Sequence, residues 1–152
     1  MKDGGRMKVI VTGGAGFIGS NLVDLLIEEG FDTYVIDNLS TGKKQFLNQK
    51  AKFFEADILN FHDIKLIFEK VKPEAVFHLA AQIDVQSSIK DPIMDAKKNI
   101  IGTINILELC KIYESKLIYS SSAAVYGKPQ YLPVDEQHLI QPLSNYGISK
   151  YT

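Results

Sequence analysis

Short apolar runs alternate along the chain with longer segments whose apolar residues recur at helical spacing. The runs are rich in β-branched residues and lead into glycine, aspartate or serine, which is typical of buried strands. In the longer segments apolar residues lie three or four positions apart, which predicts amphipathic helices. The predicted strands are Lys8–Thr12, Thr33–Ile36, Lys52–Ala56, Ala75–Leu79 and Leu117–Ser120. The predicted helices are Phe17–Glu29, Phe61–Val71, Pro92–Tyr113 and a last helix that begins near Tyr146.

The alternation of strands with helices predicts an α/β fold in which right-handed crossovers build a parallel sheet. Residues 127–145 carry Pro129, Pro133 and Pro142 and are predicted to be a loop. No repeat or linker interrupts the pattern, and 152 residues suit a single domain. Residues 1–6 are polar and rich in glycine, so we expect a disordered extension before a folded part that begins at Met7.

Composition narrows the class of protein. A formal net charge of -1 gives no electrostatic reason to expect a nucleic acid or an anionic membrane surface as partner. No apolar run approaches the ~18 residues of a transmembrane helix. Cys110 is the one cysteine, which excludes an internal disulfide and fits a reducing compartment, so a cytoplasmic location is expected. The histidines are scattered, and no metal site is expected.

Glycines at 13, 16 and 19 follow the first predicted strand and open the first predicted helix. In dinucleotide-binding folds such glycines permit a tight turn, close approach of a pyrophosphate and close helix–strand packing. Asp37 ends the second strand, near the ~20-residue separation at which an acid bonds a ribose 2′-hydroxyl. An acid there repels a 2′-phosphate and favours NAD over NADP. The alternatives are a plain tight turn and, for Asp37, a turn or helix cap.

Tyr146 and Lys150 stand four residues apart in the last predicted helix, so the phenol and the ammonium would share one face. A cation beside a phenol favours the phenolate, which can act as a general base near neutral pH. For an isolated match, a solvated surface pair is the alternative. The pair therefore gains meaning only from the motifs that precede it.

Seven short motifs occur along the chain in a fixed order. They are T-G-G-A-G-F-I-G at 12–19, Asp37-Asn38, Asp57-Ile58, H-L-A-A at 78–81, N-x-x-G-T at 99–103, S-S-S-A-A-V-Y-G at 120–127 and Y-x-x-x-K at 146–150. In this set the chain resembles the extended short-chain dehydrogenase/reductase family, and within it the NAD-dependent epimerase/dehydratase branch, which acts on nucleotide sugars. The resemblance implies a Rossmann-type doubly wound parallel sheet in three α/β/α layers, with NAD as cofactor.

The resemblance also implies roles for particular residues. The implied catalytic set is Ser122, Tyr146 and Lys150, and the implied sugar contacts are Ser122, Ala123, Ala124 and Tyr146. The implied cofactor contacts are Gly13, Gly16, Phe17, Ile18, Gly19, Asp37, Asn38, Ser40, Thr41, Gly42, Asp57, Ile58, Leu79, Ala80, Ala81, Gln82, Asn99, Ser120, Tyr146 and Lys150.

Ala123 and Ala124 bear on which branch of the family the chain resembles. Sugar 4,6-dehydratases carry an acidic pair at this point because water elimination needs an acid and a base, and decarboxylases carry a glutamate there. Alanines transfer no proton, so dehydration is disfavoured and room is left for a hexose. In the runs H-L-A-A-Q-I-D-V at 78–85 and S-S-A-A-V-Y-G-x-P-x-Y-L-P-V at 121–134, the chain resembles UDP-glucose 4-epimerases of the prokaryotic type most. This resemblance implies interconversion of UDP-glucose and UDP-galactose through a transient 4-keto sugar and bound NAD.

Members of this family are considerably longer chains with further strands and a C-terminal substrate domain. The resemblance therefore implies that residues 7–152 are an incomplete Rossmann domain without the substrate domain, and that they are inactive alone. Complete relatives are expected to be homodimers that bind a UDP-sugar. Two alternatives stay open: an epimerase of another UDP-sugar, an N-acetylhexosamine or a uronic acid, and a non-catalytic NAD-binding fragment.

Overall fold

A computed structural model describes residues 5–152, so the first four residues of the predicted extension lie outside the described part. The chain forms two compact units. The first contains residues 5–80 and 104–120, and the second contains residues 81–103 and 121–152. Over residues 5–152, no helix has the length and apolar character to cross a membrane, and no cluster of three histidine, cysteine or acidic side chains could hold a metal ion.

The strands that the structure describes all belong to the first unit and run parallel. They are β1 Lys8–Thr12, β2 Asp32–Asp37, β3 Lys52–Glu55, β4 Ala75–His78 and β5 Lys116–Tyr119. Their order across the sheet is β3-β2-β1-β4-β5. The chain moves outward from β1 to β3 and then crosses to the other side of β1, so β1 and β4 flank the point where the strand order reverses. Open α/β sheets bind ligands at the carboxyl ends of the strands at such a point.

Helices cover both faces of this sheet. They are α1 Phe17–Glu28, α2 Phe61–Val71 and α5 Gly102–Ile112, whose residues from 104 onward belong to the first unit. Successive residues of a strand point to opposite faces. Val11 of β1 accordingly shares one core cluster with Val23 of α1, whereas Ile10 shares another with Phe68 of α2 and Leu109 of α5. The predicted Rossmann-type sheet in three layers is confirmed.

The second unit consists of short helical segments and loops. They are α3 Val85–Lys90, α4 Pro92–Ala96, a π-helical turn Lys97–Ile101, a 3-10 turn Ala123–Val125 and α6 Asn145–Tyr151. Side-chain oxygens of Asp84, Asp91 and Ser144 cap the starts of α3, α4 and α6. Helices this short are unstable alone, so α6 depends on its packing against α3, α4, the π-helical turn and the 3-10 turn.

Most predicted elements are confirmed. β1 and α2 have the predicted bounds, and the ends of the other predicted strands and helices lie within about one residue of the prediction. The prediction of one regular helix over Pro92–Tyr113 is wrong, because a π-helical turn separates α4 from α5. The sequence did not predict α3, because only Val85 and Ile89 of its six residues are apolar.

Candidate functional site

The glycine turn after β1 has room for backbone only. Gly13 adopts a φ of +72°, and a Cβ there would lie 2.7 Å from the backbone nitrogen of Ala80. A Cβ at Gly19 would collide with the carbonyl oxygen of Gly13. The turn and the packing of α1 against it therefore both require glycine.

The start of α1 presents uncapped backbone N–H groups. Gly16 at the N-cap offers no side-chain acceptor, and the first turn holds no acidic residue. The free N–H groups and the positive end of the helix dipole suit an anion such as a pyrophosphate. The side chains of Phe17 and Ile18 are 83% and 64% exposed, so an apolar surface lies beside these donors.

Asp37, at the end of β2, ties the glycine turn to the following loop. The residue is 8% exposed, and its carboxylate accepts hydrogen bonds from the N–H of Ala15 at 3.0 Å and of Leu39 at 2.8 Å. A Cβ at Gly42 would lie 2.9 Å from the same carboxylate, so glycine is needed beside it. Asp37 therefore caps two turns, and each of its oxygens has the capacity for one further donor.

Asn38 and Asp57 bond each other beyond the ends of β2 and β3. Nδ2 of Asn38 donates to Oδ2 of Asp57 at 2.8 Å, while Oδ1 of Asn38 accepts from the N–H of Ser40 at 3.0 Å. Oδ1 of Asp57 accepts from the N–H of Leu59 at 2.8 Å. These implied adenosine contacts thus form one fixed pair, followed by Ser40 and Thr41 in an exposed loop.

Other implied contacts in the first unit have structural partners. Ile58 is 7% exposed and belongs to the core cluster. Leu79 is half-buried, and the N–H of Ser120 donates to the carbonyl of His78 at 3.2 Å. Oγ1 of Thr12 lies 2.7 Å from Nδ1 of His78 and accepts from the N–H of Ala80 at 3.2 Å. This buried pair fixes the backbone that borders Gly13.

In the second unit, α6 carries Tyr146 and Lys150 four residues apart, and the prediction that a helix holds both residues is confirmed. The N–H of Tyr146 donates to Oγ of Ser88 at 3.2 Å. Nδ2 of Asn145 donates to the carbonyl of Ser88 at 3.0 Å. Asn145 therefore anchors α6 to α3.

Ser122 caps the 3-10 turn that lies against α6. Its Oγ accepts from the N–H of Ala124 at 3.2 Å. A Cβ at Gly147 would lie 2.7 Å from the carbonyl oxygen of Ala124, so the glycine after the tyrosine lets α6 approach this turn closely. The second unit therefore holds Ser122, Tyr146 and Lys150 on two elements that pack together.

Lys150 is 5% exposed, which is rare for a lysine. Burial lowers the pKa of its ammonium to about 8, and the negative charge of Asp95 acts in the opposite direction. Its backbone carbonyl accepts from Oγ of Ser121 at 3.3 Å. With that pKa the ammonium is mostly charged at neutral pH, although a modest rise in pH would remove its proton.

Asn99, in the π-helical turn, joins several segments of the second unit and is 2% exposed. Its Oδ1 accepts from the N–H of Gln82 at 2.8 Å. Its Nδ2 lies 3.0 Å from the carbonyl oxygen of Gln82, 3.2 Å from Oδ1 of Asp95 and 3.0 Å from Oγ of Ser149. The side-chain amide of Gln82, an implied cofactor contact, donates to Asp95 and to the carbonyl of Asp84.

The family model described as GDP-mannose 4,6 dehydratase matches residues 10–152. The chain belongs to this family. The UDP-glucose 4-epimerase of Thermotoga maritima, solved with UDP-glucose, is 47% identical with a TM-score of 0.92, over 95% of this chain and 48% of that one. The Thermus thermophilus UDP-glucose 4-epimerase, solved with NAD, is 39% identical with a TM-score of 0.91, over 95% and 47%. The Lactobacillus helveticus UDP-glucose 4-epimerase is 41% identical over 95% and 44%.

The chain thus spans about half the length of the relatives that it matches. The predicted membership of the epimerase/dehydratase branch, with the greatest resemblance to UDP-glucose 4-epimerases, is confirmed. The matched part of these relatives is the part that carries the glycine turn and the Tyr146–Lys150 pair here.

For this family member, sequence reasoning missed two buried polar residues beside the candidate catalytic set. Ser88 is fully buried, and its Oγ donates to the carbonyl of Val85 while it accepts from Tyr146. Asp95 is 2% exposed. Serine and aspartate are mostly exposed residues, so a single sequence gives no signal for Ser88. For Asp95 the one signal is its spacing, four residues before Asn99 on the same helical stretch.

Proposed function

We propose that the chain is the NAD-binding part of a nucleotide-sugar 4-epimerase that interconverts UDP-glucose and UDP-galactose. The observation that carries this proposal is α6, where Tyr146 and the buried Lys150 pack against the turn of Ser122. Similarity to UDP-glucose 4-epimerases over 95% of the chain supports it.

The residues of the first unit fit NAD. Gly13 has no side chain, so only backbone lies where the strand order of the sheet reverses. The uncapped start of α1 suits the pyrophosphate. Asp37 suits the ribose hydroxyls, and its charge disfavours a 2′-phosphate, so NAD is preferred to NADP. The Asn38–Asp57 pair is proposed to bind the adenosine end.

In the proposed reaction, Tyr146 as phenolate accepts the proton of the sugar O4. Lys150 as ammonium stabilises the phenolate, and Ser122 donates a hydrogen bond that orients O4. NAD, when bound, supplies the acceptor for the C4 hydride and the donor that returns it. The sugar passes through a 4-keto form, rotates to present its other face and takes its proton back from Tyr146. The site must therefore exclude water to protect the ketone.

Epimerisation is proposed rather than dehydration, although the matching family is described by a dehydratase. Dehydration needs an additional acid and base beside the sugar. Ala123 and Ala124 occupy those positions and cannot transfer a proton. Removal and return of one proton at O4 requires only Tyr146.

Two finer predictions belong with this proposal. We expect a chain of the relatives' full length to be a homodimer, and we expect a cytoplasmic location. The 152-residue chain alone is expected to show little turnover, because it spans about half the length of its relatives. An N-acetylhexosamine or a uronic acid as the natural sugar stays an alternative.

Calorimetry with the 152-residue chain tests the cofactor assignment. We expect NAD to bind, NADP to bind more weakly and UDP-glucose not to bind. Turnover is tested in a chain of the relatives' full length with UDP-galactose, where Tyr146→Phe should abolish epimerisation and keep NAD binding. Wild-type turnover by Tyr146→Phe would end the proposal, and UDP-N-acetylgalactosamine as a second substrate separates the sugar alternatives.

A further inference from the structure

Asp95 is a carboxylate buried inside the second unit. It is 2% exposed, and its Oδ1 accepts from Nε2 of Gln82 at 3.0 Å and lies 3.2 Å from Nδ2 of Asn99. These amide donors satisfy an acceptor but carry no charge. Because a buried charge is costly unless an opposite charge compensates it, the fold must offset the carboxylate in another way.

Lys150 is the buried cation of the same unit, at 5% exposure. A chain of hydrogen bonds leads towards it, since Nδ2 of Asn99 bonds Oγ of Ser149, the residue before Lys150. The charge of Asp95 favours the ammonium form of Lys150 and opposes the effect of burial on its pKa. Asp95 lies on α4 and Lys150 on α6, and these two helices pack against each other, so the two buried groups are close enough to be electrostatically coupled.

Other charged groups near α6 are less able to fill this role. The elements that pack against α6 carry Lys90, Lys97 and Lys98, and Asp84 and Asp91 cap the starts of two of them. Lys98 is half-buried, and the other four are exposed. The remaining titratable neighbours are the phenols of Tyr126, Tyr146 and Tyr151. An exposed charge is screened by water and salt, whereas a buried one is screened far less.

We propose that Asp95 is a positioning residue of this site: it holds α6 through Asn99 and Ser149 and supplies the negative charge that keeps buried Lys150 an ammonium. Its meaning for catalysis rests on the function proposed above. Its effect on Lys150 does not, because the protonation of a lysine can be followed without cofactor or sugar.

The test is an NMR titration of the 152-residue chain labelled with 13Cε-lysine, with the Lys150 signal assigned by its loss in Lys150→Arg. In Asp95→Asn, which keeps an acceptor oxygen but removes the charge, we expect the midpoint of the Lys150 titration to fall by about one pH unit or more. Asp95→Glu should restore the wild-type midpoint. Asp91→Asn, at the exposed N-cap of the same helix, should leave it unchanged.

A folded Asp95→Asn chain with an unchanged or raised Lys150 midpoint would overturn the proposal, since a merely structural role changes stability alone. If Asp95→Asn does not fold, as judged by circular dichroism, the proposal is tested by a second measurement on the wild-type chain. Coupling is reciprocal, so the carboxyl 13C signal of Asp95 should shift at the pH where Lys150 loses its proton. If the Asp95 signal does not shift at that pH, the proposal is also overturned. A lack of turnover in a longer chain would count against the proposed function and leave these results unaffected.

Discussion

The side-chain amide of Asn99 lies 3.0 Å from the hydroxyl oxygen of Ser149 and links the π-helical turn to the helix of Tyr146 and Lys150. Replacement of Asn99 by leucine would remove the acceptor of the Gln82 N–H and one donor to the buried carboxylate of Asp95. Each unsatisfied buried group costs about 1–3 kcal/mol, so we expect Asn99→Leu to lower the free energy of unfolding by about 2–4 kcal/mol.

Urea unfolding followed by circular dichroism measures that loss. Asn21→Leu is the matched control, because Asn21 is exposed and bonds only its own helix. Equal losses in the two variants would contradict a structural role for Asn99 beyond that of a surface amide.

Gly13→Ala should destabilise the first unit and prevent NAD binding. The alanine would have to adopt a positive φ and would bring its Cβ 2.7 Å from the backbone nitrogen of Ala80. Gly30→Ala separates these two effects, because Gly30 has a φ of +85° with no atom within 4 Å of its Cβ position. We expect Gly30→Ala to cost about 1–2 kcal/mol from backbone strain, and Gly13→Ala to cost clearly more. Thermal unfolding of both variants gives the comparison; similar losses would show that the contact with Ala80 is easily relieved.

Lys150 should make stability depend on alkaline pH. Its pKa is about 8 in the folded chain against an ordinary value of 10.5, so the unfolded chain binds the proton more tightly. The penalty of burying the ammonium is therefore complete below about pH 8 and disappears as pH rises towards the unfolded value. Because methionine binds no proton, we expect the free energy of unfolding of the wild type to rise relative to that of Lys150→Met between about pH 8 and the unfolded value. Urea unfolding of both chains across this range measures it, and a difference independent of pH would count against a buried ammonium.

Asp37→Ala should weaken NAD binding by about tenfold or more and reduce the preference for NAD over NADP. On the proposed function, the substitution removes the hydrogen bonds proposed to the ribose and the charge proposed to repel a 2′-phosphate, and tenfold corresponds to about 1.4 kcal/mol. Loss of the hydrogen bonds to Ala15 and Leu39 should weaken the binding of both dinucleotides alike, so a change in the ratio of the two affinities reports the loss of the charge. Calorimetry with both dinucleotides gives this ratio, with exposed Asp24→Ala as control. An unchanged ratio would remove Asp37 from the specificity of the site.

Local signals in the sequence predicted the elements that are defined locally. Phe61–Val71 was predicted to the residue because its apolar residues repeat at helical spacing before Pro73, and in the structure Asn60 caps its start. The π-helical turn was missed because the apolar residues of the stretch fit an ordinary helix, whereas Asn99 within the turn bonds Ser149, which is distant in sequence.

Side-chain partners were harder to predict than the motifs themselves. Motif spacing identified Asp37, but only the structure shows that its oxygens already accept from Ala15 and Leu39. Gln82 stands in the implied cofactor set, yet its amide donates to Asp95, which no motif contains. Such bonds depend on which distant segments meet in the fold, and one sequence does not encode that in its local pattern.

Cys110 gives the chain a built-in reporter of opening. The thiol lies 5% exposed in the core cluster of the first unit, and burial raises its pKa to about 11. Alkylating reagents attack the thiolate, so the folded chain should react only during moments when this core opens. The rate of labelling by iodoacetamide should therefore measure how often the sheet and its covering helices come apart, without any engineered probe.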